Sequence, residues 1–201
     1  ATTRGGLYYA VPVNIHGQNW LWYNTQVLAD AGVAPPTTFE ELIAAAPKLE
    51  AAGVIPLAHG GQSWQDHLLF DAVFVAEAGR DVFEKVYGEV DIDAANGEAF
   101  RKAAERFASL RALIDPGSPG RNWNDATNLV ITGKAATQVM GDWAKGEFIA
   151  AGLTPGQEYG CNTLPGGYLM GGDVFVFPKV TDPAQQAAQV KLAELMLSPE
   201  V

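Results

Sequence analysis

The segment Gly133–Phe148, GKAATQVMGDWAKGEF, constrains the fold more than any other part of the chain. Its run Ala135–Met140 is short and apolar and predicts a strand. Gly141 breaks the run, and the residues after it predict a tight turn followed by a helix. In open α/β sheets, ligands bind outside the carboxyl ends of the strands. The segment therefore predicts an α/β fold in which Asp142 and Trp143 face a crevice.

Asp142 and Trp143 are a pair that suits a sugar. A carboxylate accepts hydrogen bonds from hydroxyl groups, and an indole ring offers a flat apolar face to the C–H side of a pyranose. A structural alternative, which the local sequence alone favours, is that Asp142 caps the next helix and Trp143 packs into the core. Both interpretations stay open at this level.

Two other strand ends carry polar groups. The predicted strand Val54–Ala58 runs into HGGQSWQDH, residues 59–67, which repeats the position of the first segment after a strand. Near the start of the chain, Asn14 and His16 follow the β-rich run Leu7–Val13. Polar groups there could meet a ligand, although a lone histidine is more often a structural residue.

Residues 59–67 do not match common catalytic or metal motifs. The sequence around Ser63 resembles a nucleophile elbow, but Gln65 stands where GxSxG requires its second glycine. His59 and His67 have no third His or Cys nearby in the sequence, and their spacing is unlike that of zinc motifs such as HExxH. We therefore expect no metal, no cofactor and no catalytic serine.

One catalytic alternative remains, a carbohydrate-active hydrolase. Such enzymes use two carboxylates that flank the glycosidic bond, and Asp142 could pair with Asp173 or with Asp66. The sequence gives no separation between these groups, so this alternative stays open.

Composition excludes other classes of function. The formal net charge is −10 and the 13 Lys and Arg residues are scattered, which disfavours binding to nucleic acid. Cys161 is the only cysteine, so no internal disulfide is expected and the redox compartment is left open. No transmembrane span is predicted. Residues 1–6 lack the apolar region of a signal peptide, so we expect the start to be processed or cut from something longer.

Helix signals alternate with the predicted strands. Thr38 and Glu41 have capping-box spacing and predict a helix over residues 39–52. The apolar sequence of residues 68–78 predicts a buried helix, which Gly79 ends.

Two further helices are predicted in the second half of the chain. A long amphipathic helix is expected to begin with Asp93 or Asn96 as its cap and to extend to about Leu113. Asp182 and Pro183 predict the start of the last helix, in the N-cap and first helical positions.

Five segments then stand in a recognisable order: YAVPVNIHGQNWLWYN, PPTTFEELIAAAPKLEAAGVIPLAHGGQSWQDHLLFDAVFVAEAG, NDATNLVITGKAATQVMGDWAKGEF, YGCNTLPGG and GGDVFVFPK. In this order they resemble the extracellular solute-binding proteins, family 1, of sugar ABC transporters, and within these the glucose/mannose binders. The resemblance covers almost the whole chain. Its most specific pieces are VPVNIH with WYN and the stretch from GKAA to MGDW.

The resemblance implies a periplasmic-binding-protein-like type II α/β fold, in which two lobes enclose a sugar cleft. Residues 18–171 would form one sugar-binding lobe, with a central mixed sheet flanked by helices. Residues 1–17 would supply a hinge-crossing strand and the entry, and residues 172–201 a returning hinge strand and a helix that normally packs on the other lobe. The N-terminal segment and the C-terminal end of a family member are expected to be absent.

Site residues follow from the same resemblance, position by position. Trp143 would stack on the sugar and Asp142 would accept its hydroxyls. Trp64, Gln65 and His67 would form a second binding group after the preceding strand.

The positions near the hinge complete the implied site. Asp173 would be a further carboxylate in the cleft, beside the returning strand. Asn14 and His16 match a family stretch near the hinge.

The implied function is that of a non-catalytic sugar-binding component of an ABC importer, with a monosaccharide such as glucose or mannose in the cleft. Its partners would be the sugar, the permease membrane subunits, and a missing lobe or second chain. Its location would be periplasmic, or extracellular with a lipid anchor. The alternatives are the hydrolase with paired carboxylates and an interaction module that no longer binds sugar.

Overall fold

The computed structural model describes residues 3–199. The strands are β1 (Thr3–Arg4), β2 (Leu7–Tyr8), β3 (Ala10–Pro12), β4 (His16–Gly17), β5 (Trp20–Asn24), β6 (Ile55–Ala58), β7 (Ala135–Met140), β8 (Tyr159–Thr163), β9 (Met170–Gly171) and β10 (Val174–Val176). The helices are α1 (Thr25–Asp30), α2 (Phe39–Ala51), α3 (Ser63–Tyr87), α4 (Ile92–Ala95), α5 (Glu98–Leu110), α6 (Trp123–Ile131), α7 (Ala144–Ala150) and α8 (Pro183–Met196), with a 3₁₀ turn at Arg111–Leu113.

The chain divides into two compact units. The main unit consists of residues 17–169, and the split unit consists of residues 3–16 and 170–199.

A mixed sheet lies at the centre of the main unit, in the strand order β6-β7-β5-β8. Strands β6 and β7 are parallel, with Leu57 opposite Thr137. Strand β5 runs antiparallel to both β7 and β8. Every residue of β7 is buried, because helices such as α6 pack against this strand. The mixed sheet flanked by helices is the arrangement that the family resemblance implies.

Local capping signals place α2 where the sequence predicts it. The Thr38 hydroxyl accepts a hydrogen bond from the Glu41 N–H at 3.1 Å, and Glu41 in turn accepts from the Thr37 N–H at 2.7 Å. The bonds from Thr37 lower the pKa of the Glu41 carboxyl. Two donors at the start of the helix are satisfied in this way, which is the physical role of a capping box.

The predicted start of α3 is wrong. The apolar run predicts a helix from residue 68, whereas α3 begins at Ser63, so that Trp64 and His67 lie on the helix itself. Gly79 interrupts the helix as predicted, with φ of 78° and ψ of 166°. A positive φ of this kind costs little only for glycine, and it lets the segment that ends at Tyr87 change direction.

The predicted amphipathic helix that ends near Leu113 is α5, which continues into the 3₁₀ turn Arg111–Leu113. Its N-cap is Gly97, one residue after the predicted alternative Asn96. The other alternative, a start at Asp93, is wrong, because Asp93 lies within the separate short helix α4, which Asp91 caps.

In the split unit, β3 and β10 pair antiparallel, with Val11 opposite Phe175. Helix α8 begins as predicted, since the Asp182 carboxylate accepts from the Gln185 N–H at 2.9 Å. None of the described residues of α8 is buried, and Val190, Leu192 and Leu195 are each about half exposed or more.

Candidate functional site

Two tryptophans from separate segments of the main unit lie side by side. Parallel strands β6 and β7 end at the same edge of the sheet, and Trp64 and Trp143 follow these strands. Their ring centroids are 6.4 Å apart and their planes are tilted by 52°. Trp64 is 41% exposed and Trp143 is half-buried. The structure thus brings together the two aromatic residues that the resemblance implied, at one partly open surface.

The turn after β7 fixes Asp142 and Trp143. One carboxylate oxygen of Asp142 accepts from the Gly17 N–H at 2.9 Å, and the Asp142 N–H donates to the Gly17 carbonyl at 2.8 Å. Trp143 itself occupies the N-cap position of α7. A β-carbon on Gly141 would lie 2.2 Å from the Trp143 ring, so only glycine lets this ring fold over the turn.

Gln62 positions Trp64, and sequence reasoning missed it. Its side-chain oxygen accepts from the Trp64 indole N–H at 2.8 Å and from the Gln65 amide at 3.2 Å. Its own amide donates to Asn122 at 2.9 Å. Its position directly before α3, in the N-cap position, gave no signal in the sequence, because the helix was predicted to begin only at residue 68.

Gln65 lies elsewhere than its predicted role requires. Its side chain is fully buried, and its amide donates to Gln62 and, at 3.3 Å, to the Arg121 carbonyl. The structure therefore places Gln65 inside the main unit rather than on the surface that exposes Trp64. Its geometry is that of a support for the start of α3.

His67 belongs to a second cluster on α3. Its Nε2 lies 3.1 Å from one oxygen of Asp71, and the Tyr87 hydroxyl donates to the other oxygen at 2.7 Å. The His67 and Tyr87 rings meet edge to face at 6.2 Å. The spacing of His67 and Asp71 by four residues was a usable signal, but Tyr87 reaches them only through the interruption at Gly79.

Burial sets the electrostatics of this cluster. Asp71 is only 13% exposed, and burial raises the pKa of its carboxyl against the opposing effects of Tyr87 and His67. Burial also raises the pKa of the Tyr87 hydroxyl, with the bond to Asp71 acting in the same direction. The tyrosine is therefore a neutral donor at neutral pH.

Asn14, His16 and Asp173 meet in the split unit. The Asn14 amide donates to the Asp173 carboxylate at 2.8 Å, and the Asp173 N–H donates to the Asn14 side-chain oxygen at 2.7 Å. His16 Nε2 lies 3.9 Å from the same carboxylate. Three predicted residues are thus neighbours, and their contact with a ligand stays a prediction.

The carboxylates of the hydrolase alternative have structural partners. Asp66 lies 2.9 Å from the buried His59 ring, and Asp173 is bound to Asn14 as described. Within residues 3–199, no three His, Cys, Asp or Glu residues are grouped so that they could hold a metal ion. The same part of the chain contains no helix with the length and apolar character needed to cross a bilayer.

Comparison with known proteins assigns the chain to a family. The profile of bacterial extracellular solute-binding proteins matches residues 1–201. A probable sugar-binding periplasmic protein of Mesorhizobium japonicum is 42% identical over 196 residues, which are 96% of this chain and 47% of the relative. A glucose-binding protein of Saccharolobus solfataricus is 26% identical over 142 residues, which are 69% of this chain and 26% of the relative.

A solved structure supports the fold. A chitin oligosaccharide binding protein matches with a TM-score of 0.83 at 25% identity, over 99% of this chain and 52% of that protein. The predicted periplasmic-binding-protein-like α/β fold is thereby confirmed, and the chain spans about half the length of the curated relative from Mesorhizobium. With a family profile matched along its whole length and a relative 42% identical, the chain belongs to the bacterial extracellular solute-binding proteins.

Proposed function

We propose that this chain carries a sugar-binding surface of a non-catalytic solute receptor that serves an ABC importer. The observation that carries the proposal is the pair of Trp64 and Trp143 beside the Asp142 carboxylate, at the carboxyl edge of β6 and β7. This is the edge at which open α/β sheets bind their ligands.

The chemistry of the pair fits a pyranose. Two indole rings tilted by 52° offer apolar faces to the C–H surfaces of a sugar. Asp142 is held by Gly17, so its carboxylate accepts sugar hydroxyls without first losing side-chain freedom.

The organisation of the receptor is part of the proposal. Residues 18–171 are the sugar-binding lobe, and residues 1–17 and 172–201 supply hinge strands and a helix for a second lobe. Closure of two lobes on the sugar would create the surface that docks on the permease membrane subunits. The name of the Mesorhizobium relative supports a periplasmic location for such a receptor. A lipid-anchored extracellular receptor would use the same surface.

Glucose or mannose is the proposed occupant of the Trp64 and Trp143 surface. The relative from Saccharolobus is named as a glucose-binding protein, which supports glucose as a ligand. The flat C–H faces of pyranoses with mostly equatorial hydroxyls are well matched to indole rings.

Tryptophan fluorescence during sugar titration tests the proposal. Glucose and mannose are added up to about 10 mM, because one wall of a cleft that contributes about −4 kcal/mol corresponds to millimolar affinity. The spectrum should change and saturate. Trp143→Ala should remove most of the change, whereas Ile149→Ala, an exposed residue of the same helix, should keep it.

Far-UV circular dichroism of both variants provides the folding control. An undiminished fluorescence response in folded Trp143→Ala would refute the assignment of the surface. Release of monosaccharide from an added disaccharide would refute the non-catalytic role, since a binding protein releases none at any pH.

A further inference from the structure

A cavity lies on another side of α3, away from the two tryptophans. Asp66 follows Trp64 by two residues, which is about 200° around a helix of 3.6 residues per turn, so the two side chains do not share a face. Asp66 and Leu69 are three residues apart and line a cavity of about 620 Å³. Pockets for small molecules have volumes of about 300–1,000 Å³. The cavity is therefore large enough for a ligand of its own.

The walls of this cavity come from separate segments of the main unit and are mostly apolar. Leu69 is a buried residue of α3, Phe107 belongs to α5, and Ile114 belongs to the loop that follows the 3₁₀ turn. A β-carbon on Gly61 would lie 2.4 Å from the Ser118 carbonyl oxygen, so only glycine lets this loop approach the segment after β6 so closely. The loop and the two helices together enclose an apolar interior.

Two polar side chains of the lining have capacity left for a ligand. Ser118 is only 7% exposed, and its hydroxyl has no hydrogen-bond partner among residues 3–199. One oxygen of Asp66 lies 2.9 Å from His59 Nε2, and the other has no donor within the described part of the chain. An ionised carboxylate only accepts, so Nε2 donates to it whether the histidine ring is neutral or charged. A buried hydroxyl and a carboxylate oxygen thus remain to be satisfied.

Arg111 adds a positive charge to the same cavity. Its guanidinium donates to the Ile114 carbonyl at 3.2 Å, and it forms no ion pair with Asp66 or with any other carboxylate of residues 3–199. A guanidinium has five N–H donors in a planar fork that matches a carboxylate. The cavity therefore offers one group of each charge to a ligand, beside an apolar interior.

We propose that this cavity binds a free α-amino acid with an apolar side chain. Its ammonium group donates to the unbonded oxygen of Asp66 and to the Ser118 hydroxyl, and its carboxylate accepts from Arg111. Its side chain lies against Leu69 and Phe107. An amine alone would leave the guanidinium unpaired, and an acid alone would leave the carboxylate oxygen unpaired, so the two charges together favour the zwitterion. The inference is independent of the sugar-binding proposal, because it uses none of the same side chains.

Calorimetric titration of the full chain with matched probes tests the inference. The probes are L-phenylalanine, 3-phenylpropionate, which lacks the ammonium group, phenethylamine, which lacks the carboxylate, and glycine, which lacks the apolar side chain. L-Phenylalanine should bind at least about 10-fold more tightly than each of the others, because each lacks either one charge-assisted bond or the buried ring.

Variants then assign the two charged groups of the ligand. Asp66→Asn should weaken binding of L-phenylalanine about 10-fold and that of 3-phenylpropionate by less than about 2-fold. Arg111→Gln should weaken binding of L-phenylalanine about 10-fold and that of phenethylamine by less than about 2-fold. A general disturbance of the cavity would weaken all probes alike. Asp81→Asn and Arg101→Gln, at exposed positions of α3 and α5 outside the cavity, are the matched controls and should bind as the parent does.

The contrary outcomes are equally specific. Far-UV circular dichroism shows whether each variant is folded, and Arg111→Gln alone decides if Asp66→Asn does not fold. Equal affinity for L-phenylalanine and any truncated probe would overturn the inference, as would unchanged affinity in folded Arg111→Gln.

A last variant separates the cavity from the surface of Trp64 and Trp143. Trp143→Ala should leave the affinity for L-phenylalanine within about 2-fold, and a loss of about 10-fold would mean that the amino acid binds on the tryptophans instead. If none of the probes binds at concentrations up to about 10 mM, the inference is wrong while the sugar-binding proposal stands.

Discussion

Strands β7 and β10 show how differently the two units treat similar sequences. Both are short apolar runs, AATQVM in β7 and VFV in β10. Every residue of β7 is buried between neighbouring strands and helices of the main unit. Every residue of β10 is exposed, including Phe175 at 51%. Apolar character therefore predicts a strand in both places but does not predict its burial.

The two last helices of these units repeat the contrast. In α7, Ala144 and Phe148 are buried in the main core. In α8, which is twice as long, no described residue is buried. The main unit completes its own core, whereas the split unit presents apolar residues that its own described residues do not cover. The contrast predicts that substitutions of the same kind have very different effects in the two units.

The largest effect is expected in the aromatic core of the main unit. Phe148 is fully buried and stacks on Tyr159 with ring centroids 4.4 Å apart. Phe148→Ala should lower the free energy of unfolding by about 3–5 kcal/mol, because it removes buried area and leaves a cavity. Phe175→Ala in β10 should cost about 0.5 kcal/mol or less. Urea unfolding followed by far-UV circular dichroism measures both.

Similar costs for the two phenylalanine variants would contradict the comparison. In that case Phe175 would be covered in solution rather than exposed. A trace of Phe148→Ala with two separate transitions would show instead that the two units unfold independently.

Sequence and structure agree where one segment determines its own geometry. Thr38, Glu41 and Asp182 cap helices through bonds to residues three positions away, so their spacing suffices to predict the helix starts. The start of α3 escaped prediction because Gln65 is polar yet buried. An apolar pattern therefore begins only at Leu68.

In the candidate site too, some features were predictable from the sequence and others depend on packing. Trp64 and Trp143 were predictable neighbours, since both follow strands whose carboxyl ends share one edge. Gln62 and Asp71 act through contacts that depend on packing, with Asp71 joined to a tyrosine 16 residues away. The spacing of four residues links Asp71 to His67, but no spacing rule links it to Tyr87, so that contact is found only in the folded structure.

An intermediate effect is expected at the loop after α5. The Asp115 carboxylate accepts two hydrogen bonds from Arg121, at 2.7 and 2.6 Å, and Arg121 also donates to the His59 carbonyl. Asp115→Asn should lower the free energy of unfolding at neutral pH by about 1–2 kcal/mol, since it weakens bonds to a charged group. Urea unfolding of the variant and the parent chain measures this difference.

The pH dependence of that difference has a definite sign. The bond from Arg121 lowers the pKa of Asp115 in the folded chain. The carboxylate therefore stabilises the fold above its unfolded pKa of about 3.9, and this contribution is lost as the pH falls through the lower folded pKa. The gap between parent and variant should be constant from neutral pH to about 5 and should narrow below about 4. A gap that widens on acidification would contradict this account.

The smallest effect on stability, and a separate effect on association, is expected in α8. Leu192 and Leu195 are 49% and 58% exposed, so replacing both with Gln should change the free energy of unfolding by less than about 0.5 kcal/mol. Exposed apolar side chains of this kind promote contact between copies of a chain. The parent chain should self-associate, the double variant should do so less, and Glu194→Gln, exposed on the same helix, should behave as the parent. Sedimentation velocity over a concentration series measures the self-association of all three chains. A parent chain that stays monomeric at every concentration would mean that the apolar residues of α8 are too dispersed to form a contact surface. The two units would then differ in how their residues are packed, but not in their tendency to associate.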